Sequence, residues 1–318
     1  MDAMVSIVCN TFNQESYISD ALDGFLMQET SFPIEILVHD DASTDGTREI
    51  VKKYADKYPN LIKPILQTEN QYSKGIKISE VFQFSRAQGK YIAFCEGDDY
   101  WTDPLKLQKQ VDAMERHTDI DICAHRVATV RDGKKTGAVP QRRENTVFSA
   151  DEVIAGGGGF VATASLLFRK GVFDDSYHFA QMMSVDYVWQ IRGALRGGML
   201  YLGDCMGVYR QKAKGSWTAR SEVDPRAQIR SWAKIKDVLC VLNEETNYEH
   251  NSVVQMQIAM MELNPWVRKG ELRRILSKEG RTRLKILPLK QRVMIPMFAL
   301  RRMVLNASRH RLKHTNEG

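Results

Sequence analysis

The chain has 318 residues, of which 43% are hydrophobic and 26% charged, and its formal net charge is +6 at pH 7. This composition is typical of a folded globular protein and excludes a disordered or collagen-like chain. No apolar run reaches the roughly 18 residues that a membrane-spanning helix needs. The five cysteines are odd in number and widely spaced, which argues against a disulfide framework or a zinc site and favours a reducing compartment.

The first third of the sequence alternates strand and helix patterns. Its strands are short and almost continuously apolar, and its helices carry apolar residues at helical spacing. Such repeated βαβ units predict an α/β fold with a mostly parallel, Rossmann-like sheet flanked by helices. Thr44 is predicted to cap the second helix. The predicted strands are Val5–Cys9, Ile34–Val38, Ile62–Leu66 and Tyr91–Cys95, and the predicted helices are Tyr17–Met27, Thr47–Tyr58 and Ile76–Ala87.

The remainder of the chain is less regular and ends in helices. The polar stretch Arg131–Glu144, which contains glycine and proline, is predicted to be a turn or mobile loop. Strand patterns stop near Val223, so we expect an α/β domain at 1–223 and a helical, basic region at 224–318. The other predicted elements are helices Pro104–Arg116 and Val185–Leu195 and strands Ile120–Val130, Phe160–Phe168 and Met199–Tyr209.

Three polar clusters follow predicted strands. Asn10–Asn13 comes after the first strand, Asp40–Asp45 after the second and Glu96–Asp99 after the fourth. In open parallel sheets, ligands bind beyond the carboxyl ends of the strands. The sequence therefore predicts one binding crevice at this edge of the sheet.

The acidic cluster Glu96–Asp99 indicates a metal site. Carboxylates placed directly after a buried strand are costly unless they bind a partner. Mg²⁺ and Mn²⁺ prefer oxygen ligands, often one or two carboxylates together with substrate phosphates. A cation held by this cluster would neutralise the charge on a departing nucleoside diphosphate. The alternative is a turn that starts the next helix, with Asp103 as its cap, which leaves the earlier acids unexplained.

The run Tyr91–Trp101 and the following Asp103–Leu107 resemble the D-x-D region of family 2 glycosyltransferases. The resemblance extends from Val5 to Trp217. It implies the GT-A fold and an inverting, metal-dependent transfer of a sugar from a nucleotide-sugar, most often a UDP-sugar, in bacterial surface-polysaccharide synthesis. In this family the adjacent aspartates contact the donor and hold Mn²⁺ or Mg²⁺, roles that the resemblance assigns to Asp98 and Asp99.

The same resemblance implies a nucleotide pocket. Asn10 and Phe12 lie in the loop that receives the base, and Phe12 could lie against its face. Asp41 stands where a carboxylate accepts the N3–H of uracil, and Ala42 replaces the more usual glycine. Lys74, on the loop after the third strand, could reach a phosphate, although exposed lysines are common.

The acceptor side depends on Asp186, which opens a predicted helix. By resemblance, Asp186 is the general base that takes the proton of the acceptor hydroxyl. The alternative is an acid that the helix dipole favours at that position. Lys212 stands where relatives commonly have His, and its charge could face the donor diphosphate. Thr163 and Trp217 are candidate acceptor contacts, with core packing as the alternative.

The basic stretch 286–313 is predicted to form an amphipathic helix that binds an anionic membrane surface. Packing on the main domain is the alternative. The N-terminus lacks the features of a signal peptide, so we expect a cytoplasmic protein, free or at the inner face of the membrane. The apolar positions at helical spacing are Leu289, Val293, Met297, Leu300 and Val304.

The predicted partners are a nucleotide-sugar donor and a glycan or lipid-linked acceptor, and we expect no nucleic acid. Two other functions remain open. A sugar nucleotidyltransferase would need a glycine-rich, basic loop after the first strand, and Asn10–Asn13 is neither. The intact Asp98, Asp99 and Asp186 speak against a catalytically inactive, nucleotide-sugar-binding scaffold. The G-x-G-x-x-G and P-loop motifs of dinucleotide and nucleoside triphosphate sites do not occur.

Overall fold

The computed structural model describes residues 3–174, 177–183, 185–216 and 225–315. The chain divides into two compact units, Met1–Pro225 and Arg226–Gly318. The boundary predicted near Val223 lies outside the described residues. The first unit contains a sheet with helices packed against it, so the predicted α/β class is confirmed.

Ten strands of the described residues form the sheet, in the order β3-β2-β1-β4-β9-β6-β10-β5. The first four strands of this order are mutually parallel, as are β6 and β10, and the other pairings are antiparallel. The two short strands β7 and β8 pair with β6 and β10. The strands are β1 Val5–Thr11, β2 Ile34–Asp40, β3 Ile62–Leu66, β4 Tyr91–Phe94, β5 Tyr100–Trp101, β6 Ile122–Arg131, β7 Lys134–Val139, β8 Thr146–Phe148, β9 Leu167–Arg169 and β10 Met199–Arg210.

The helices of the first unit cover the sheet, and their buried sides join its core. Within β1, Val5 and Ile7 are fully buried, as expected of a strand that is covered on both faces. The parallel register places Thr11 opposite Asp40, so the polar loops after β1 and β2 begin side by side. The helices are α1 Ile18–Leu26, α2 Thr47–Lys57, α3 Lys106–Arg116, α4 Ala150–Gly156, α5 His178–Met182 and α6 Asp186–Ala194.

Three predicted elements differ in part from the structure. Arg131–Glu144 contains the predicted turn, since Asp132 and Gly133 form a two-residue turn with positive φ, but this turn joins β6 to the strand β7, which was not predicted. Phe160–Phe168 is not one strand, because a 3₁₀ turn at Thr163–Ser165 interrupts it and only Leu167–Arg169 pairs with the sheet. Ile76–Ala87 is helical over a shorter range, as a π-helical turn at Ser79–Gln83 followed by a 3₁₀ turn at Phe84–Arg86.

The cap of α2 also differs from the prediction. Gly46 precedes the helix, and the side chain of Asp45 accepts hydrogen bonds from the backbone and hydroxyl of Thr47. Thr44 instead binds Asn13: its N–H donates to the side-chain oxygen at 2.7 Å. Thr44 therefore joins two loops of the crevice and does not cap the helix.

In the second unit, the described residues form helices joined by short turns. Leu263, Ile275, Leu287 and Ala299 form part of its own buried core. Among the described residues, no helix has both the length and the apolar character needed to cross a bilayer. The helices are α7 Pro225–Glu245, α8 Asn251–Lys269, α9 Leu272–Ile275, α10 Lys278–Ile286 and α11 Leu289–Thr315.

Candidate active site

The acidic turn after β4 packs against the end of β1. The N–H of Gly97 donates to the carbonyl of Asn10 at 3.1 Å, and the N–H of Asp99 donates to the carbonyl of Glu96 at 3.0 Å. Asp98 and Asp99 are buried, whereas Glu96 is exposed. The predicted clusters after β1 and β4 therefore lie together, with the two aspartates turned inward.

Gly97 allows this close approach because it has no side chain. A Cβ at position 97 would lie 2.4 Å from Oε1 of Gln14 and 2.8 Å from Oγ1 of Thr11. Those two side chains are themselves joined by a 2.8 Å hydrogen bond. A larger residue would have to push this pair aside, so glycine keeps the acidic turn seated on β1.

Arg210, at the end of β10, holds the acidic turn and was not singled out from the sequence. Its backbone N–H donates to Oδ1 of Asp99 at 2.8 Å, and its guanidinium donates to the backbone carbonyl of Asp98 at 2.8 Å. The guanidinium also pairs with Asp20 and lies over the rings of Tyr17 and Tyr100. The main chain of Arg210 thus holds the Asp99 carboxylate, and its side chain holds the backbone of the acidic turn at Asp98.

The donor set of the acidic turn fits a divalent cation. Burial, and then the neighbouring Asp98 carboxylate, raise the pKa of Asp99 well above its usual range. A cation would offset both effects, and Mg²⁺ commonly uses one or two carboxylates plus substrate phosphates. Within the described part of the chain, no three His, Cys, Asp or Glu side chains cluster closely enough to hold a metal ion by themselves.

The predicted nucleotide pocket brings together the loops after β1, β2 and β3. Both carboxylate oxygens of Asp41 accept backbone N–H groups, from Gln71 at 2.7 Å and from Tyr72 at 3.0 Å. The side chain of Asn10 donates to Ser79 at 3.0 Å. Asp41 and Asn10 thus anchor the segment after β3 to the crevice, in addition to any contact with a base.

The other predicted pocket residues are more open. Phe12 is half-buried at the end of β1. Lys74 is exposed and forms an ion pair with Glu69 on its own loop. Lys212 is exposed and has a φ of 62°, in the left-handed region, two residues after Arg210. Lys212 therefore follows by two residues Arg210, which contacts the acidic turn, while Lys74 belongs to the loop that Asp41 holds.

Asp186 and Thr163, both predicted to lie on the acceptor side, contact each other. The hydroxyl of Thr163 donates to Oδ2 of Asp186 at 2.7 Å, and the N–H of Tyr187 donates to Oδ1 at 2.7 Å. Burial raises the pKa of the Asp186 carboxyl above its ordinary value, which makes it a stronger base than an exposed aspartate. Trp217, the other candidate acceptor contact, lies outside the described residues.

Trp101 links the acidic turn to the Asp186 pair. It follows Asp99 by two residues, and its indole N–H donates to the carbonyl of Ala164 at 2.8 Å. Ala164 is the neighbour of Thr163, which binds Asp186. Two hydrogen bonds and short stretches of chain thereby connect the acidic turn to Asp186, the candidate base. The acidic turn, Trp101, Thr163 and Asp186 form the hydrogen-bonded unit of the site.

This mixed sheet with helices packed against it has the GT-A fold. Residues 6–176 match the family model described as glycosyl transferase family 2, and the chain therefore belongs to that family.

The chain is also similar to curated proteins from several bacteria. The uncharacterized protein Rv1520 of Mycobacterium tuberculosis is 41% identical over 214 residues, 67% of this chain and 60% of that protein. The chain thus spans 60% of the length of this relative. The Escherichia coli UDP-Glc:α-D-GlcNAc-diphosphoundecaprenol β-1,3-glucosyltransferase WfaP is 35% identical over 35% of this chain and 41% of that protein.

A crystal structure of S. aureus TarS residues 1–349 in complex with UDP-GlcNAc is similar in fold. It has a TM-score of 0.61 and 16% identity, and the match covers 89% of this chain and 79% of that one. A structure of GalNAc-T7 with UDP, GalNAc and Mn²⁺ has a TM-score of 0.50 and 13% identity, over 67% of this chain and 45% of the other. The GT-A fold that the sequence resemblance implies is confirmed.

Proposed function

We propose that this chain is a metal-dependent, inverting glycosyltransferase that moves a sugar from a UDP-sugar to a glycan or lipid-linked acceptor in cell-surface polysaccharide synthesis. The observation that carries this proposal is the hydrogen-bonded unit of the acidic turn, Trp101, Thr163 and Asp186. It supplies a site for a diphosphate on one side and a base on the other, which a single displacement at the anomeric carbon needs.

The roles of the protein groups follow from their contacts. Asp186 takes the proton of the attacking hydroxyl, and its bond from Thr163 keeps the carboxylate oriented. Asp98 and Asp99 hold Mn²⁺ or Mg²⁺, which when bound supplies positive charge to the leaving nucleoside diphosphate. Asn10, Phe12 and Asp41 border the base, and the positive charges of Lys74 and Lys212 serve its phosphates.

The comparisons support the choice of donor and acceptor class. TarS was crystallised with UDP-GlcNAc, and WfaP is named for UDP-Glc and a lipid-linked diphosphate acceptor. GalNAc-T7 was crystallised with UDP and Mn²⁺. We therefore infer a UDP-sugar donor, a divalent cation and an acceptor that is a growing glycan or a lipid-linked sugar.

The test combines nucleotide binding with turnover. Thermal unfolding is followed with UDP, GDP, CMP and dTDP, with and without Mn²⁺, and UDP release is measured from UDP-Glc and UDP-GlcNAc. A ligand at a hundredfold excess over its dissociation constant stabilises the folded state by about 2.7 kcal/mol. We expect a shift with UDP that needs Mn²⁺ and is lost in Asp99→Ala.

Asp186→Asn should keep the UDP shift and lower turnover by about a hundredfold or more, because the amide cannot accept the proton. The matched control is Asp132→Asn at the exposed hairpin turn, which should behave as the wild type. Unchanged turnover in Asp186→Asn would show that Asp186 is not the general base. Binding without turnover would favour the inactive scaffold, and formation of a nucleotide-sugar from a nucleoside triphosphate would favour a nucleotidyltransferase.

We also propose that α11 attaches the protein to an anionic membrane at the inner face. Five apolar residues form a stripe along it that is largely exposed, whereas Ile295 and Ala299 on another side are 5% and 0% exposed. Between Lys269 and Lys313 the sequence has fourteen lysines and arginines and two acidic residues. This charge fits anionic lipid headgroups. The stripe and its exposures are Leu289 75%, Val293 56%, Met297 62%, Leu300 45% and Val304 54%.

A further inference from the structure

Lys106, the first residue of α3, is a lysine in the core. Its side chain is 0% exposed, and its Nζ has no hydrogen-bond partner. The Nζ atom lies 3.6 Å from the centroid of the Trp101 ring. A buried ammonium lowers stability unless it is compensated, and contact with an indole face compensates only part of this cost. A residue that lowers stability in this way is expected at a position where the function of the protein requires it.

Trp101, whose ring Lys106 contacts, joins the two halves of the site, which are the acidic turn and the Thr163–Asp186 pair. The indole N–H of Trp101 holds the carbonyl of Ala164, and the backbone of the next residue, Thr102, donates to the carbonyl of Met206 on β10 at 3.0 Å. A Cβ at Gly24 of α1 would approach the Trp101 backbone N at 3.0 Å. Backbone packing and the indole bond therefore both define the position of this ring.

The same face of α3 also contacts the turn beside Thr163 directly. Gln110, one helical turn after Lys106, donates its amide N–H to the carbonyl of Ser165 at 2.9 Å. Trp101, which lies against Lys106, binds the preceding carbonyl, that of Ala164. Burial lowers the pKa of Lys106 to about 7, while the nearby Cys95 and Cys123 act in the opposite direction and the contact with the indole face favours the charged form.

We propose that Lys106 is a positioning residue of the transfer reaction: its ammonium on the face of Trp101 fixes the indole that joins the Asp98–Asp99 turn to the Thr163–Asp186 pair. The inference rests on the proposed function. A cation over the ring also polarises the indole, which strengthens its N–H as the donor to Ala164. Lys106 touches no substrate in this account and acts through Trp101.

The first experiment replaces Lys106 by Met, which keeps the length of the side chain and removes the charge. Replacing a buried charge by an apolar group of similar size is commonly neutral or stabilising, so the Tm should stay equal or rise. We expect kcat for UDP release from the UDP-sugar to fall about tenfold, with KM within about twofold of wild type. Lys109→Met, on the same helix with its Nζ at the surface, is the matched control and should keep kcat.

The second experiment places Lys106→Met in a Trp101→Phe background. Phenylalanine keeps an aromatic face but has no N–H for Ala164. If Lys106 acts through that bond, its replacement should change kcat by less than about twofold in this background, against about tenfold in the wild type. An equal loss of kcat in both backgrounds would overturn the proposed route through Trp101.

The outcomes separate the inference from the proposed function. If Lys106→Met keeps the wild-type kcat, Lys106 does not position the site. The same holds if the variant has a lower kcat together with a lower Tm and no longer shows the UDP-induced shift, because it is then simply unstable. In either case the wild type still binds UDP with Mn²⁺ and the proposed function stands. If the wild type neither binds UDP nor releases it from a donor, the proposed function fails, and the inference fails with it.

Discussion

Ala42 strains the backbone of the loop between β2 and α2. Its φ is 63°, in the left-handed region, which glycine adopts without cost and alanine does not. The sequence resemblance expects glycine at this position, and the backbone angle supplies the physical reason. The loop between β2 and α2 therefore keeps its shape despite the alanine and stores a small amount of strain.

Ala42→Gly should raise the free energy of unfolding by roughly 0.5–1 kcal/mol, because relief of the left-handed strain exceeds the entropy that glycine adds to the unfolded chain. Chemical denaturation measures this difference. Ala155→Gly, in α4, is the control and should lower stability, because glycine is a poor helix former. A loss of stability in Ala42→Gly would mean that the loop carries no strain at this residue.

Individual site residues were predictable to different extents. Asp98, Asp99 and Asp186 stand in short local patterns, so the sequence indicates them, and their roles stay predictions. Arg210 carries no local signal of its contacts, because it reaches Asp20 and Asp98 across more than a hundred residues of chain. Lys106 was part of a recognised motif, but its burial follows only from packing.

At the scale of elements, the strands next to the site were the most predictable. β1, β2 and β4 are short apolar runs followed by acids or amides, and all three were found within a residue or two of their predicted bounds. The elements around Thr163 were predicted wrongly, because one apolar stretch contains a 3₁₀ turn and a three-residue strand. Tertiary hydrogen bonds to Trp101 and Gln110 select that turn, and apolar periodicity does not report them.

The acidic turn offers a test of how an element positions the site. Gly97→Ala should lower the free energy of unfolding by about 1–3 kcal/mol and weaken UDP binding, because the new Cβ displaces Gln14 and Thr11. Thermal unfolding with and without UDP and Mn²⁺ measures both effects. Gly159→Ala, where no atom lies within 4 Å of the added Cβ, is the matched control. Normal UDP binding in Gly97→Ala would show that the turn tolerates displacement.

At the scale of the whole molecule, the proposed membrane surface lies in the helical unit. Full-length protein should sediment with vesicles of phosphatidylglycerol and phosphatidylcholine but not with phosphatidylcholine alone. Added salt should weaken binding, because it screens exposed charges. Val293→Ser with Leu300→Ser should reduce binding, since both side chains are exposed on α11.

The control for this test is Val81→Ser with Leu105→Ser, which changes apolar residues of comparable exposure in the first unit. Equal binding to neutral vesicles, or unchanged binding by the α11 variant, would remove the membrane assignment. A dimer that the α11 variant alone abolishes would instead assign the stripe to a second copy of the chain.

The hydrogen bond from Arg210 to Asp99 has a consequence for attempts to evolve members of this enzyme family that use new acceptors. One of the two links from position 210 to the acidic turn is a main-chain N–H, which every amino acid except proline provides. A library that randomises position 210 would therefore lose the guanidinium contacts and still retain one anchor for the carboxylate. Position 210 can be explored with less risk of inactive variants than its contacts suggest, provided that proline is left out.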